Sequence, residues 1–187
     1  MNIDKENLAF IPALELSKAI ARKEISSEEV TLAALDRAEL TQDSLNAFIT
    51  ICRDQAVEEA VKADSEVSDS AKLSPLHGVP LTVKDLINTA GVRTTMGSRI
   101  FDENFPGSDA VAIERLKNAG AVLIGKTTTP EFGHKPYTSA PIFGQTVNAW
   151  DQNRIAGGSS GGAAVAAAAG LGSIHVGTDG GGSIRIP

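Results

Sequence analysis

Gly157-Gly158-Ser159-Ser160-Gly161-Gly162 opens an alanine-rich run, Ala163 to Ala169, which leads to Ile174-His175-Val176-Gly177 and then Thr178-Asp179-Gly180-Gly181-Gly182-Ser183-Ile184-Arg185. Alanine is the strongest helix former, so the run from about Gly161 to Ala169 predicts a helix. The apolar segment from Ile174 to Gly177 predicts a strand. One helix therefore separates two glycine-serine loops. Glycine lets a backbone turn its N–H groups inward and lets a ligand approach closely. A serine beside such groups has the two parts of acyl transfer, a nucleophile and an oxyanion hole.

The same alternation extends upstream. Val79-Pro80-Leu81-Thr82-Val83 predicts a short strand ending at Lys84-Asp85. Ser108 or Asp109 is placed to cap a helix carrying Ala112, Leu116 and Ala119, closed by Asn118-Ala119-Gly120. Ala121-Val122-Leu123-Ile124-Gly125 then predicts a buried strand. Strands alternating with helices indicate a layered α/β domain.

The N-terminal part reads as helical. Pro12 to Lys23 places Leu16, Ala19 and Ile20 at helical spacing, with Pro12 suited to a first turn. Ser26 and Glu29 form a capping box ahead of Val30, Ala33, Ala34 and Ala38. A third helix is predicted near Asp54 to Ala63, striped by Ala56, Val57, Ala60 and Val61. The polar stretch Ser65 to Ser74 predicts a loop. The division that follows is an N-terminal helical segment, 1–70, and a catalytic segment, 71–187.

The chain has 187 residues and a formal net charge of −6. That is enough for one domain with a core, and without a basic stripe it excludes direct nucleic-acid binding. Cys52 is the single cysteine. No intrachain disulfide can form, and the apolar surroundings of Cys52 give it the character of a small buried hydrophobe. Met1 to Glu6 lacks the basic and apolar regions of a signal peptide. Gly161 to Thr178 is shorter and less apolar than the roughly 20 residues of a membrane span. The expectation is a cytoplasmic protein that makes no use of a membrane.

Serine is a weak nucleophile until a base takes its proton. The candidate bases are His77, His134, His175 and Lys84. His175 lies in an apolar strand and reads as a packed core residue, while His77 and His134 lie near glycines at the surface or in a cleft. Lys84 ends a buried strand, where open α/β sheets place ligands. A lysine acts as a base only when neutral, which burial or nearby positive charge promotes. Three readings of the serine loops compete. A phosphate cradle requires Gly-Lys-Ser/Thr, and neither loop contains it. A nucleophile elbow fits Gly158-Ser159-Ser160-Gly161-Gly162 with Ser160 at its centre, but only His175 follows as a partner. The third is a relay joining two serines and the lysine.

These residues as a set resemble the amidase signature family. The resemblance runs from Gly157-Gly158-Ser159-Ser160-Gly161-Gly162 through Gly177-Thr178-Asp179-Gly180-Gly181-Gly182-Ser183-Ile184-Arg185-Ile186-Pro187, and includes Gly78-Val79-Pro80-Leu81-Thr82-Val83-Lys84-Asp85. Weaker likeness fills the interval, in Gly125-Lys126-Thr127-Thr128-Thr129-Pro130-Glu131-Phe132-Gly133 and Phe143-Gly144-Gln145-Thr146. It implies a layered α/β/α fold with a mixed central sheet, preceded by the N-terminal helices.

It further implies that Ser183 is the nucleophile, that Ser159 bridges it to Lys84, and that the Gly158–Ser159 peptide is cis. The backbone N–H groups of Gly180, Gly181, Gly182 and Ser183 would form the oxyanion hole, and Asp179 and Arg185 would support the loop. No cofactor or metal is implied. The middle residue of Asp179-Gly180-Gly181 often carries a side chain in such proteins, and here it is Gly180.

The implied reaction is hydrolysis of a carboxylic amide to carboxylate and ammonia or amine, through an acyl-enzyme. The partner is a small-molecule amide, with association into a homo-oligomer also admitted. Thr129-Pro130-Glu131-Phe132-Gly133-His134-Lys135 resembles the stand-alone amidases. The alternatives are the glutaminase subunit of a tRNA-dependent amidotransferase and a non-catalytic remnant. Such proteins continue well beyond the Ser-Ile-Arg motif, so the expectation is a fragment, with the C-terminal half of the catalytic domain absent, poorly stable or inactive alone.

Overall fold

The computed structural model describes residues 8–67 and 73–187. Met1 to Glu6, the division at residue 70 and the middle of the predicted Ser65–Ser74 loop lie outside the described residues.

Helix α1, Ala13–Ala21, buries Leu16, Ala19 and Ile20, and Pro12 is its N-cap rather than its first helical residue. Helix α2, Ser27–Leu45, carries both halves of the predicted capping box. Ser26 Oγ accepts from the Glu29 N–H at 2.9 Å, and the Glu29 carboxylate accepts from the Ser26 N–H at 2.9 Å. Two more of its N-terminal N–H groups, those of Ser27 and Glu28, donate to Asp64 at 2.7 and 3.0 Å. Asp64 belongs to α3, Arg53–Glu66. That helix therefore continues past the predicted end and takes in Ser65, expected in a loop. Between α2 and α3 lies a short strand, β1, Phe48–Ile51.

Strands β2, Pro80–Lys84, and β3, Val122–Thr127, are buried at every residue. Helix α4, Val111–Asn118, starts from Ala110 with no side-chain cap. The cap expected from Ser108 or Asp109 is absent because the Asp109 carboxylate is engaged elsewhere. It accepts from the Ala90 N–H at 2.7 Å and from Lys117 Nζ at 3.0 Å. A small hairpin pairs β4, Ser139–Ala140, with β5, Gly144–Gln145. Helix α5 spans Gly161–Ala169 as predicted and ends at Gly170, whose φ of 67° is the left-handed conformation glycine adopts without strain. Strand β6, Ile174–Val176, follows.

The main sheet has the order β1-β3-β2-β6, with β1 antiparallel to β3 and the other pairs parallel. It is a mixed sheet, as the resemblance implied, and β1 adds a strand from the N-terminal part. Val122 and Ile124 pack with Leu35 of α2, Ala56 and Ala60 of α3, and Val165 and Ala166 of α5. Leu81, Val83 and Leu123 pack instead with Ile113 of α4 and with Val92. The sheet thus lies between helices. α5 comes very close to its neighbours, because a Cβ on Gly162 would lie 2.4 Å from the Thr128 nitrogen and 2.6 Å from the Ala47 oxygen. That contact sets the loop before α5 against the C-terminal ends of β2 and β3. Among the described residues no helix is long and apolar enough to cross a membrane.

Candidate active site

Lys84 closes β2 and is fully buried, paired in register with Thr127. Its Nζ donates to Ser159 Oγ at 2.7 Å, to Thr178 Oγ1 at 2.8 Å and to Ser160 Oγ at 3.0 Å. All three partners are neutral hydroxyls. A buried ammonium without a carboxylate partner is costly, and burial lowers the Lys84 pKa to about 8, with the Asp179 carboxylate drawing it back upward. The lysine is thereby poised to exchange a proton near neutral pH.

The loop before α5 presents Ser159 and Ser160, both buried, and the Gly158–Ser159 peptide is cis. Ser160 ties this loop to the one that carries Ser183. Its N–H donates to the Ser183 carbonyl at 3.0 Å, and its Oγ donates to the Thr178 carbonyl at 3.1 Å while accepting from the Thr178 N–H at 3.2 Å. Of the predicted trio, Lys84 and Ser159 meet side chain to side chain, whereas Ser183 is tied to the Ser159–Ser160 loop by its backbone carbonyl. Gly133 also reaches the serine, since a Cβ there would stand 3.4 Å from Ser159 Oγ and 3.0 Å from Leu86.

Asp179 organises the second loop. Its carboxylate accepts from the N–H groups of Gly182 at 2.7 Å and Ile184 at 3.0 Å, and from both arms of the Arg185 guanidinium at 2.8 and 3.0 Å. These bonds, the Arg185 guanidinium first, hold the carboxyl well below the usual carboxylate range. Asp179 and Arg185 thus form an ion pair within this loop. Gly182 differs from expectation as an oxyanion donor, because its N–H is already committed to Asp179. The N–H groups of Gly180, Gly181 and Ser183 have no such partner within the described residues.

Among the described residues no histidine hydrogen-bonds to Ser159, Ser160 or Ser183. His175 Nδ1 lies 2.9 Å from Thr82 Oγ1, and burial lowers its pKa to about 4. It is a neutral residue of the sheet. His77 is largely buried and lines a cavity between α3 and α4, with Nε2 2.8 Å from the Ala63 carbonyl near the end of α3. His134 is exposed. Burial pushes the Cys52 thiol up to about 11, which disfavours its thiolate at neutral pH.

Sequence reasoning assigned no role to Thr178, and none to a second fully buried lysine, Lys126. Lys126 Nζ donates to the Ile87 carbonyl at 2.6 Å and to Thr89 and Thr94 at 2.8 Å. Burial lowers its pKa to about 8, while Asp85 pulls in the opposite direction. The available signal was its place in an otherwise apolar buried run. Thr178 carried no signal beyond its nearness to Asp179.

The sequence profile of the family described as Amidase matches residues 29–187. Among curated relatives, a glutamyl-tRNA(Gln) amidotransferase subunit of Moorella thermoacetica is 46% identical over 180 residues, covering 96% of this chain and 37% of that protein. An acylamidase of Rhodococcus erythropolis is 39% identical over 183 residues, 98% of this chain and 38% of that protein. The native peptide amidase of Stenotrophomonas maltophilia superposes with a TM-score of 0.81 at 35% identity, covering 89% of this chain and 36% of that one. The chain thus spans less than two-fifths of the length of these relatives.

Proposed function

We propose that this chain, which belongs to the Amidase family, carries the nucleophile, relay and base of a serine amidohydrolase. The observation that supports the reading best is Lys84, buried among hydroxyls and 2.7 Å from Ser159 Oγ. Neutral Lys84 takes the proton of Ser159 as Ser159 takes that of Ser183, and Ser183 Oγ bonds to the amide carbon. The oxyanion that forms faces the N–H groups of Gly180, Gly181 and Ser183. Each donor of this kind typically contributes a factor of roughly 10²–10³ in turnover. Collapse expels the amine, which receives the proton held on Lys84 through Ser159. Water, activated by the same pair, then hydrolyses the ester on Ser183.

A linear carboxylic amide of small size, cleaved by a stand-alone amidase, is the substrate class we favour. The 46% identity to a glutamyl-tRNA(Gln) amidotransferase component supports glutaminase chemistry as a second reading. Ammonia release from glutamine, set beside release from simple acyl amides, separates the two. Covalent capture by a fluorophosphonate tests the site itself. Labelling lost on Ser183→Ala and kept on Ser160→Ala is the expected result, and loss on Ser160→Ala alone would instead establish the nucleophile elbow.

A further inference from the structure

We propose that Thr178 is a positioning residue for Lys84, accepting a hydrogen bond from Nζ so that the amine's lone pair is left to the hydroxyl of Ser159. The inference rests on the assignment of Lys84 as the base. A neutral amine has two N–H donors and one lone pair, and three hydroxyls surround this one. One hydroxyl must therefore donate to the nitrogen while the other two accept. The Ser160 hydroxyl is committed to the Thr178 carbonyl at 3.1 Å, so toward Nζ it can only accept. The lone pair is then contested by Ser159 and Thr178 alone, at 2.7 and 2.8 Å. The relay works only when Ser159 is the donor. Thr178 must be the second acceptor, and its own backbone bonds to Ser160 fix where its side chain stands.

The charges around Lys84 do not supply this orientation. Asp179 acts from the loop beyond β6. The Asp85 carboxylate is turned to the N–H and hydroxyl of Thr95. Lys126 is occupied by Ile87, Thr89 and Thr94. All three groups persist when the Thr178 hydroxyl is removed. Its loss then strips one acceptor from both forms of Lys84, and more strongly from the ammonium, whose hydrogen bonds are charge-assisted.

Two measurements on the whole chain test this. In protein labelled with ¹³Cε-lysine, the Lys84 signal is the one missing from Lys84→Met, and its titration gives the midpoint directly. The rate of Ser183 capture by a fluorophosphonate, followed against pH, reports the relay. In Thr178→Val, or in Thr178→Ala should valine impair folding, the midpoint is expected about one pH unit lower and the capture rate about tenfold lower at its plateau. Thr178→Ser, which keeps the hydroxyl, restores both. An unchanged midpoint and plateau in the valine and alanine variants would overturn the proposal, as would a serine variant no better than they are. If the unaltered chain is not captured, the assignment of Ser183 fails, and the Lys84 midpoints still decide the role of Thr178.

Discussion

Lys84 and Lys126 are buried lysines one register step apart on paired parallel strands. Lys84 pairs with Thr127 and Lys126 with Val83, so the two amines leave the sheet through opposite faces. Each is lowered to about 8 by burial, yet their partners differ. Lys84 meets only hydroxyls able to exchange protons with it, whereas Lys126 anchors the backbone and hydroxyls of residues 87–94.

This pair sets the pH dependence of stability. Between pH 8 and the ordinary lysine value of about 10.4, the unfolded chain binds up to two protons more than the folded one. Stability therefore rises with pH across that window and falls as pH drops toward 8. The raised Cys52 thiol opposes this between its ordinary pKa and about 11, with one proton against two. Urea midpoints are expected to be higher at pH 9.5 than at pH 7.5, and Lys126→Met should flatten the difference.

Lys84→Met sets the proposed role of the amine against the cost of burying it. It removes a desolvated amine at the cost of leaving three hydroxyls with one partner fewer. Thermal melts at pH 7 should show no loss, or a gain of about 1 kcal/mol. Capture of Ser183 should fall by roughly 10²–10⁴, the worth of a positioned general base. A large loss of stability would show that the amine is a structural strut.

Gly162 and Gly180 predict opposite outcomes for the same substitution. A Cβ on Gly162 would meet the Thr128 nitrogen at 2.4 Å, whereas one on Gly180 meets nothing within 4 Å. Gly162→Ala should cost about 3 kcal/mol or more, or prevent folding. Gly180→Ala should be nearly neutral in a thermal melt, because the added methyl has open space.

Asp179→Asn tests the scaffold of the loop that carries Ser183. The carboxylate holds the Arg185 guanidinium and the N–H groups of Gly182 and Ile184. A neutral amide keeps only part of this set, so amide exchange at residues 182–185 should quicken, and capture of Ser183 should slow about tenfold. Unchanged exchange would assign the ordering of this loop to other contacts.

Much of this arrangement was legible in the residues. The Ser26–Glu29 capping box, the boundaries of α5 and the strand ending at Lys84 are local signals, and local physics decided them. β1 was not legible, because Phe-Ile-Thr-Ile is too short to declare a period and becomes a strand only by pairing with β3. The start of α4 was misplaced because a good capping residue, Asp109, has long-range partners that outcompete the cap. At the site, the glycine-flanked serines and the strand-ending lysine stood out as residues, and only the family resemblance joined them into one set. Thr178 and the commitment of the Gly182 N–H depend on how the second loop folds back, which residue type alone does not encode.

Helix α5 has a consequence of a different kind. With Gly161 and Gly162 wedged against Thr138 and Thr128, the helix cannot slide, and it fixes the distance between the two serine loops as a ruler would. One residue inserted within it would turn everything beyond by about 100° and advance it by about 1.5 Å. The 23 residues between Ser159 and Ser183 are thus a mechanical dimension of the candidate site. A change in their number would displace Ser183 relative to Ser159, even though most of them are alanine and glycine.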